Sequence, residues 1–352
     1  MAILSFDRIG ITGVAACVPK QKIVNAEFTG FFTLEEVQSA IQKTGIAERR
    51  VVDDKTCASD LCCAAAEALL EEMSIDRNEI DVLIFVSQTP DYRMPVTGTI
   101  LQDRLGLAKT TAAFDINLGA SGYVYGLALA YSFAQQESIR KVLLLDGETR
   151  TKVYSFKDKV AGLFCGDGGS ATIVEKIDHA NPTYFSLNSD GAGSRIIWIK
   201  GGGYRYSSSA ETLREKEYED GSIRCDEQVV VDVAGFFEFA SREIPVDMAS
   251  IFEYAGESYK RIDFYLLHQA AKFLNDQIAK KMKIPDDKLP YSIQNFGNTS
   301  SVSIPLTMVS EIRDELRQSK NRLFLSGFGA GLSWASAITS TNRCLIPKLV
   351  EI

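Results

Sequence analysis

A histidine that closes a buried apolar run, LLHQA at 266–270, and an asparagine in a glycine turn, GNTS at 297–300, are residue types that polarise a carbonyl. Neutral imidazole and primary amide both donate N–H to an oxygen on which negative charge develops. A third segment, FDINLGASGYVYGLALA at 114–130, reads as a short buried strand, a small-residue turn and a long apolar helix. Turns after strand ends are where α/β folds place their sites. A side chain at such a helix entrance also meets the positive end of the helix dipole. The residue at that place is Ala120, which has no functional group. Taken singly, each feature is ordinary: a strand-end histidine is commonly structural, an asparagine in a turn is a turn former, and an alanine at a helix start is packing. The combination is what points to a site.

The elements that must position these residues alternate between strand and helix. Residues 59–73 predict a helix capped by Ser59 or Asp60, and the near-continuous apolar run 80–87 predicts a strand buried on both faces. A helix over 96–105, a strand over 112–117, the long helix from 121 and a strand over 141–146 follow, which is an α/β pattern. The second half repeats the first in order: EIDVLIFVSQTP (79–90) resembles RIDFYLLHQAA (261–271), FDINLGASGYVYGLALA resembles YSIQNFGNTSSVSIPLT (291–307), and RKVLLLDGETR (140–150) resembles NRLFLSGFGAG (321–331). The near-constant offset predicts an internal duplication, 1–175 and 176–352, with Ala120, His268 and Asn298 facing one central region. Residues 201–230, GGGYRYSSSAETLREKEYEDGSIRCDEQVV, break the pattern and read as a long surface excursion, either solvated or covering a substrate.

The chain has 352 residues and a net charge of −8, which argues against nucleic acid as the main partner. No apolar run approaches the ~18 residues of a membrane span, and the N-terminus lacks the pattern of a secretion signal. The seven cysteines form no CxxC pair, so no metal site is expected, and reduced thiols in a cytoplasmic protein are the plain reading. There are two histidines, His179 and His268.

The motifs KTGIAERR (43–50), FDINLGASGYVYGL (114–127), CGDGGSA (165–171), LNSDG (187–191), LLHQA (266–270), NFGNTSS (295–301) and GFGAGLSWASA (327–337) occur in one order along nearly the whole chain. In them the sequence resembles the β-ketoacyl-acyl-carrier-protein synthase III family of the thiolase superfamily. The resemblance implies a duplicated five-layer α-β-α-β-α sandwich and a homodimer. It also implies a Cys-His-Asn triad, with the cysteine at the place of Ala120 and the other members at His268 and Asn298. The activity implied is decarboxylative condensation of an acyl thioester with malonyl-acyl-carrier protein. A thiolate takes the acyl group, His268 and Asn298 stabilise the enolate, and the backbone N–H groups of residues 120 and 330 hold the tetrahedral oxyanion. Ala330 stands where relatives often have glycine. No cofactor is implied beyond the coenzyme A or acyl carrier protein that bears the thioesters.

The main departure is the missing thiol: alanine cannot be acylated. Two origins fit it, an engineered Cys→Ala change that holds substrate without turnover and a natural inactive homologue. Three functions follow: a condensing enzyme lacking its nucleophile, a non-catalytic subunit that binds acyl carrier protein or a partner synthase, and an acyltransferase forming esters or amides. Other departures concern the donor. Ser39, four residues before Lys43, replaces a tryptophan, and Lys159 replaces an arginine, so clamping of the coenzyme A adenine is expected to be weak. Lys272, Lys280, Lys281 and Lys283 offer a basic patch for an acidic carrier protein or a solvated helix face. Met94 matches a position that reaches across the dimer to cap the acyl pocket.

Overall fold

The computed structural model describes residues 2–28, 30–178 and 181–352; His179 lies outside them. Eleven strands form one continuous sheet in which a single strand order appears twice. The first-half strands are, in chain order, Ile9–Val18, Ile80–Val86, Ala112–Ile116, Lys141–Glu148 and Gly168–Lys176. Numbered 1 to 5, they lie across the sheet as 3-2-4-5-1. The strands Thr183–Ser189, Phe264–Leu267, Lys320–Gly329 and Ser333–Leu345 repeat the order 2-4-5-1. The orientations match as well: places 2 and 4 pair parallel in both halves and the 4-5 and 5-1 ladders are antiparallel, while place 3, filled in the first half, pairs parallel with place 2. The halves are joined where Ser333–Leu345 runs parallel to Ile9–Val18.

Place 3 is not filled in the second half. The comparison of YSIQNFGNTSS with FDINLGASG predicts a strand there, but the chain forms the short helix Ile293–Phe296 instead. Its backbone is engaged elsewhere: the Gln294 carbonyl accepts from the Ala47 N–H, 3.0 Å, while Ile293 and Phe296 are buried. The termini also cross between halves. Ala2–Phe6 pairs antiparallel with Thr183–Ser189 in the second, and Val350–Glu351 pairs with Cys17 and Val18 in the first.

The layers are those the resemblance implies. The helix Gly122–Ala134 has no polar face, and an all-round apolar helix belongs inside. It packs against strands of both halves, and Ser303–Ser310, buried along most of its length, lies in the same inner layer. Val124, Leu127 and Ala128 of the first helix join Ile304 and Leu306 of the second in one core; each fully buried Val, Leu or Ile contributes about 1.5–3 kcal/mol. Gly122 is required by this closeness, since a Cβ there would fall 2.5 Å from Val86 Cγ1. The helix Ala58–Glu72 covers the outer face of the first half, and Val233–Ala255 with Lys272–Met282 covers that of the second. This gives α-β-α-β-α. Ala58–Glu72 is capped by Cys57, not by Ser59 or Asp60. Asp60 occupies the third helical position, and its carboxylate accepts from the Cys57 N–H, 2.7 Å, which satisfies an end donor from inside the first turn.

The excursion at 201–230 is ordered by hydrogen bonds. Lys216–Glu217 pairs with Ile223–Arg224, and Val229–Val231 pairs with Ile197–Ile199. It is fastened to the segment carrying Lys159: Ser222 Oγ accepts from the Lys159 N–H, 2.9 Å, and Arg224 forms an ion pair with the buried Asp158, 2.9 Å.

Met94 sits on the loop between Ile80–Val86 and the helix Thr97–Arg104, 84% exposed with Tyr92 and Val96 also open. One carboxylate ties this loop down. Asp115 accepts from the Thr97 N–H, 2.8 Å, and the Gly98 N–H, 2.6 Å, at the start of that helix. The variant Asp115→Ala leaves both end donors unmet and is expected to lower stability by about 1–2 kcal/mol. Denaturant unfolding checks this, and protease cleavage should rise first between residues 90 and 100.

Candidate active site

Three chain segments converge at the ends of the central strands. The turn Gly119–Gly122 opens the inner helix. Against it runs the end of Lys320–Gly329, so close that a Cβ on Gly327 would lie 2.5 Å from the Ala120 carbonyl oxygen and one on Gly329 3.1 Å from Ala120 Cβ. On a third side is the loop 297–303: a Cβ on Gly122 would lie 3.7 Å from that of Ser301. Ala120 is 7% exposed and Ser121 fully buried, with Ser121 Oγ 2.7 Å from Ser333 Oγ. Ser333 Oγ in turn donates to the Ala330 carbonyl, 2.9 Å, which fixes the 330 turn beside Ala120. Among the described residues, neither the Ala120 nor the Ala330 N–H has a backbone acceptor.

His268 follows Phe264–Leu267, and its own N–H continues the parallel ladder to the Ser326 carbonyl, 2.8 Å. Its Nδ1 lies 2.9 Å from Ser303 Oγ, which also accepts from the Gln269 N–H, 3.2 Å. When the Ser303 hydroxyl donates to Nδ1, the imidazole carries its N–H on Nε2. The ring of Phe328 meets the imidazole edge-on at 5.5 Å. Burial is the main reason the imidazole pKa falls from 6.5 to about 3; the Arg150 charge pushes the same way, and the Ser300 backbone works against both. His268 is therefore neutral throughout the working pH range.

Asn298 is placed by glycine and by a bridge. Gly297 takes φ +72°, a region that favours glycine. Asn298 N–H donates to the Phe164 carbonyl, 3.0 Å, while its own carbonyl accepts from the Gly166 N–H, 3.1 Å. Its side-chain Oδ1 accepts from the Ser300 N–H, 2.8 Å, which leaves the amide NH2 free to donate elsewhere.

Several neighbours give no sequence signal and emerge only from the fold. Arg150, just past the strand Lys141–Glu148, donates to Ser300 Oγ, 3.2 Å, and Gln88 Oε1, 3.4 Å, and to Tyr154 Oη. The Gln88 amide oxygen lies 2.6 Å from where a Cβ on Gly119 would be, so this network spans from the Asn298 loop to the turn. Glu148 is fully buried; its oxygens accept from the Gln88 N–H, 3.2 Å, and Thr89 Oγ1, 3.0 Å, and burial pushes its pKa up to about 7 against the opposing Arg150 charge. Burial likewise raises Asp167 to about 6.

A cavity of about 1110 Å³ leads towards this region. Phe164, which pairs with Asn298, and Ala270 and Ala271, just after His268, line it. Ser39, Lys43 and Lys159 line its rim with Phe237 and Phe273, whose rings stack at 5.8 Å. Lys159 Nζ is held by Glu36, 2.9 Å, and the Phe31 carbonyl, 3.2 Å, and lies over the Phe31 and Phe32 rings. Two expected substrate contacts are not brought to this cavity. Met94 is on the exposed loop described above, and Lys272 lies just beyond the rim, paired with Asp276 at 2.8 Å. Lys281 is engaged with the Ser241 carbonyl, 3.1 Å.

A parallel-centred five-layer fold with a turn, a strand-end histidine and an asparagine loop at one focus defines a thiolase-type condensing-enzyme scaffold. Comparison with known proteins gives the family. The description 3-oxoacyl-[acyl-carrier-protein] synthase III matches residues 114–194, and that of its C-terminal part matches 252–341. A Campylobacter jejuni protein provisionally named 3-oxoacyl-[acyl-carrier-protein] synthase 3 is 35% identical over 340 residues, covering 95% of this chain and 94% of that protein. The β-ketoacyl-[acyl-carrier-protein] synthase III of Caldanaerobacter subterraneus is 30% identical, covering 95% and 98%. The crystal structure of a 3-oxoacyl-(acyl-carrier protein) synthase from Burkholderia xenovorans matches with a TM-score of 0.93 and 34% identity over 100% of this chain and 99% of that one. The chain belongs to the 3-oxoacyl-[acyl-carrier-protein] synthase III family.

The depressed imidazole pKa has a consequence for stability. Unfolded, His268 binds a proton near pH 6.5; folded, it does so only near pH 3. Between those values the unfolded state holds more protons, so the His268 contribution rises with pH and is lost on acidification. The stability difference between the protein and its His268→Gln variant should therefore grow from pH 3 to pH 6.5 and flatten above. Glu148 and Asp167 titrate with the opposite sign in both proteins and cancel in the difference. Urea unfolding at several pH values checks this; a difference that does not vary with pH contradicts it.

Proposed function

We propose that this scaffold serves decarboxylative condensation of an acyl thioester with a malonyl thioester, giving a β-ketoacyl product, and that position 120 is where the acyl group attaches. The observation that carries the proposal is that the Gly119–Gly122 turn packs against the 327–329 strand end and the Ser301 loop, with a neutral His268 and an Asn298 whose amide NH2 is left to donate, next to a cavity lined by Phe164, the partner of Asn298, and by Ala270 and Ala271, just after His268. In the sequence of steps, a thiolate at position 120, which Ala120 lacks and a cysteine there would supply, attacks the thioester carbonyl and the donor thiolate leaves. A malonyl thioester then loses carbon dioxide. The electron pair moves onto its carbonyl oxygen, which His268 Nε2–H and the Asn298 amide stabilise. The resulting carbanion attacks the acyl carbon, the backbone N–H groups of residues 120 and 330, which have no backbone acceptor among the described residues, hold the tetrahedral oxyanion, and its collapse breaks the carbon–sulfur bond, returns the thiolate at position 120 and releases the β-ketoacyl thioester.

Ala120 supports a second reading: a subunit that binds acyl carrier protein or a partner synthase without forming an acyl-enzyme. Under either reading the partner is an acyl carrier protein, the chain acts as a homodimer in which the exposed Met94 loop faces the second subunit, and the protein is cytoplasmic. The seven free cysteines are in keeping with a reducing compartment. The cavity rim favours a carrier-protein donor: it presents Ser39 and a tethered Lys159 where a nucleotide would need a ring and a guanidinium.

The test is Ala120→Cys. Mass spectrometry after incubation with acyl thioesters should find one acyl group at position 120, larger with acyl-carrier-protein than with acyl-CoA donors, and malonyl-carrier protein should then release a β-ketoacyl product. The unsubstituted chain should decarboxylate malonyl thioester slowly, and His268→Ala should abolish that activity. No adduct at position 120 with any donor, in folded protein, contradicts the proposal.

A further inference from the structure

Among the described residues, Arg150 forms no ion pair within 4 Å. Its guanidinium has five N–H donors. Ser300, Gln88 and Tyr154 engage three of them, and each of these partners is neutral. Nε is buried with no partner among the described residues, yet the residue as a whole is partly exposed. The nearest acid, Glu148, directs its oxygens at Gln88 and Thr89 and is a weak counter-charge, because burial favours its neutral form. A guanidinium held this way carries an uncompensated desolvation cost, which a carboxylate beside it would offset.

The placement says which carboxylate. Around position 120 the turn is packed by Gly327 and Gly329 against Ala120 and by Val86 against Gly122. Gln88 Oε1 lies beside the turn at Gly119 and accepts from the Arg150 guanidinium, 3.4 Å, which puts that cation next to the turn. We infer that Arg150 is a specificity-determining residue that selects an acyl group carrying a carboxylate at its far end, a short dicarboxylic acid joined as its half-thioester. This rests on position 120 being the acyl-attachment site. In the transfer, the thiolate sulfur bonds to the thioester carbon and the donor carbon–sulfur bond breaks. The donor leaves as a thiolate that takes up the proton released by the attacking thiol. The distal carboxylate is unchanged and pairs with Arg150.

The experiment uses the full-length Ala120→Cys protein in competition between succinyl-pantetheine and butyryl-pantetheine, which present four-carbon acyl groups differing in the terminal carboxylate. Mass spectrometry reads the ratio of adducts at position 120. Succinyl should be taken up about tenfold or more faster than butyryl, since a hydrogen-bonded charge pair is worth that much. In the double variant Ala120→Cys, Arg150→Met the ratio should fall by about tenfold or more, and Arg150→Lys should lower it less. A ratio at or below one with Arg150 present overturns the inference. So does a Met variant that slows both donors alike, which is what a purely structural arginine would give. Should Arg150→Met fail to fold, the single-variant ratio and the Arg150→Lys ratio decide. Butyryl adduct alone defeats carboxylate selection and leaves position 120 as the attachment site; no adduct with either donor removes both.

Discussion

Backbone packs on backbone where the strand Lys320–Gly329 passes the turn at Ala120, and the geometry of the whole site depends on that contact. With Gly327 and Gly329 lacking side chains, the strand end approaches within van der Waals distance of the Ala120 carbonyl and Cβ. The same strand holds His268 through the Ser326 carbonyl and carries Phe328 against the imidazole. It also delivers the 330 turn, pinned by Ser333, to the far side of position 120. One approach thus positions the turn at Ala120, His268 and the 330 turn at once. Any side chain on Gly327 would have to displace backbone, which well-packed interiors resist.

The electrostatics of the site follow from burial more than from pairing. His268 is kept neutral, Glu148 and Asp167 are lifted towards neutrality, and Arg150 retains its charge among neutral partners. In a low-dielectric setting a single unpaired cation acts over several ångströms, and its effect on the His268 pKa shows its reach. A neutral imidazole, an amide and two backbone N–H groups are donors suited to oxygen that gains charge. The cation adds a fixed field on the side where an acyl chain would lie.

Much of the first half was legible in the sequence because central parallel strands read as apolar runs: IDVLIFV and KVLLLD sit where the pattern puts them, and the helix after Ala120, apolar all round, is the inner layer. The second half was less legible at one place. Residues 291–296 match a strand by position but form a helix, because their hydrogen bonds go to the segment around Ala47 and not to a sheet. The exchange of terminal strands between halves involves segments too short to carry a pattern. His268 and Asn298 stood out by residue type and context. Arg150, Gln88 and Ser303 did not, since their roles come from contacts across 35 to 150 positions of sequence. The cap at Cys57 was missed because the capping carboxylate, Asp60, works backwards from inside the helix.

The central claim is that the turn at 120, at a helix entrance beside His268 and near the Arg150 charge, is an environment made for a thiolate. The direct measurement is the pH dependence of iodoacetamide alkylation at position 120 in the Ala120→Cys protein, followed residue by residue. The account predicts a half-maximal rate well below the ordinary cysteine value of about 8.5. It also predicts that the new thiol reacts ahead of Cys17, Cys165 and Cys344, whose pKa values burial pushes up to about 12. A thiol at position 120 that titrates at or above 8.5, in folded protein with those three cysteines still protected, would contradict it.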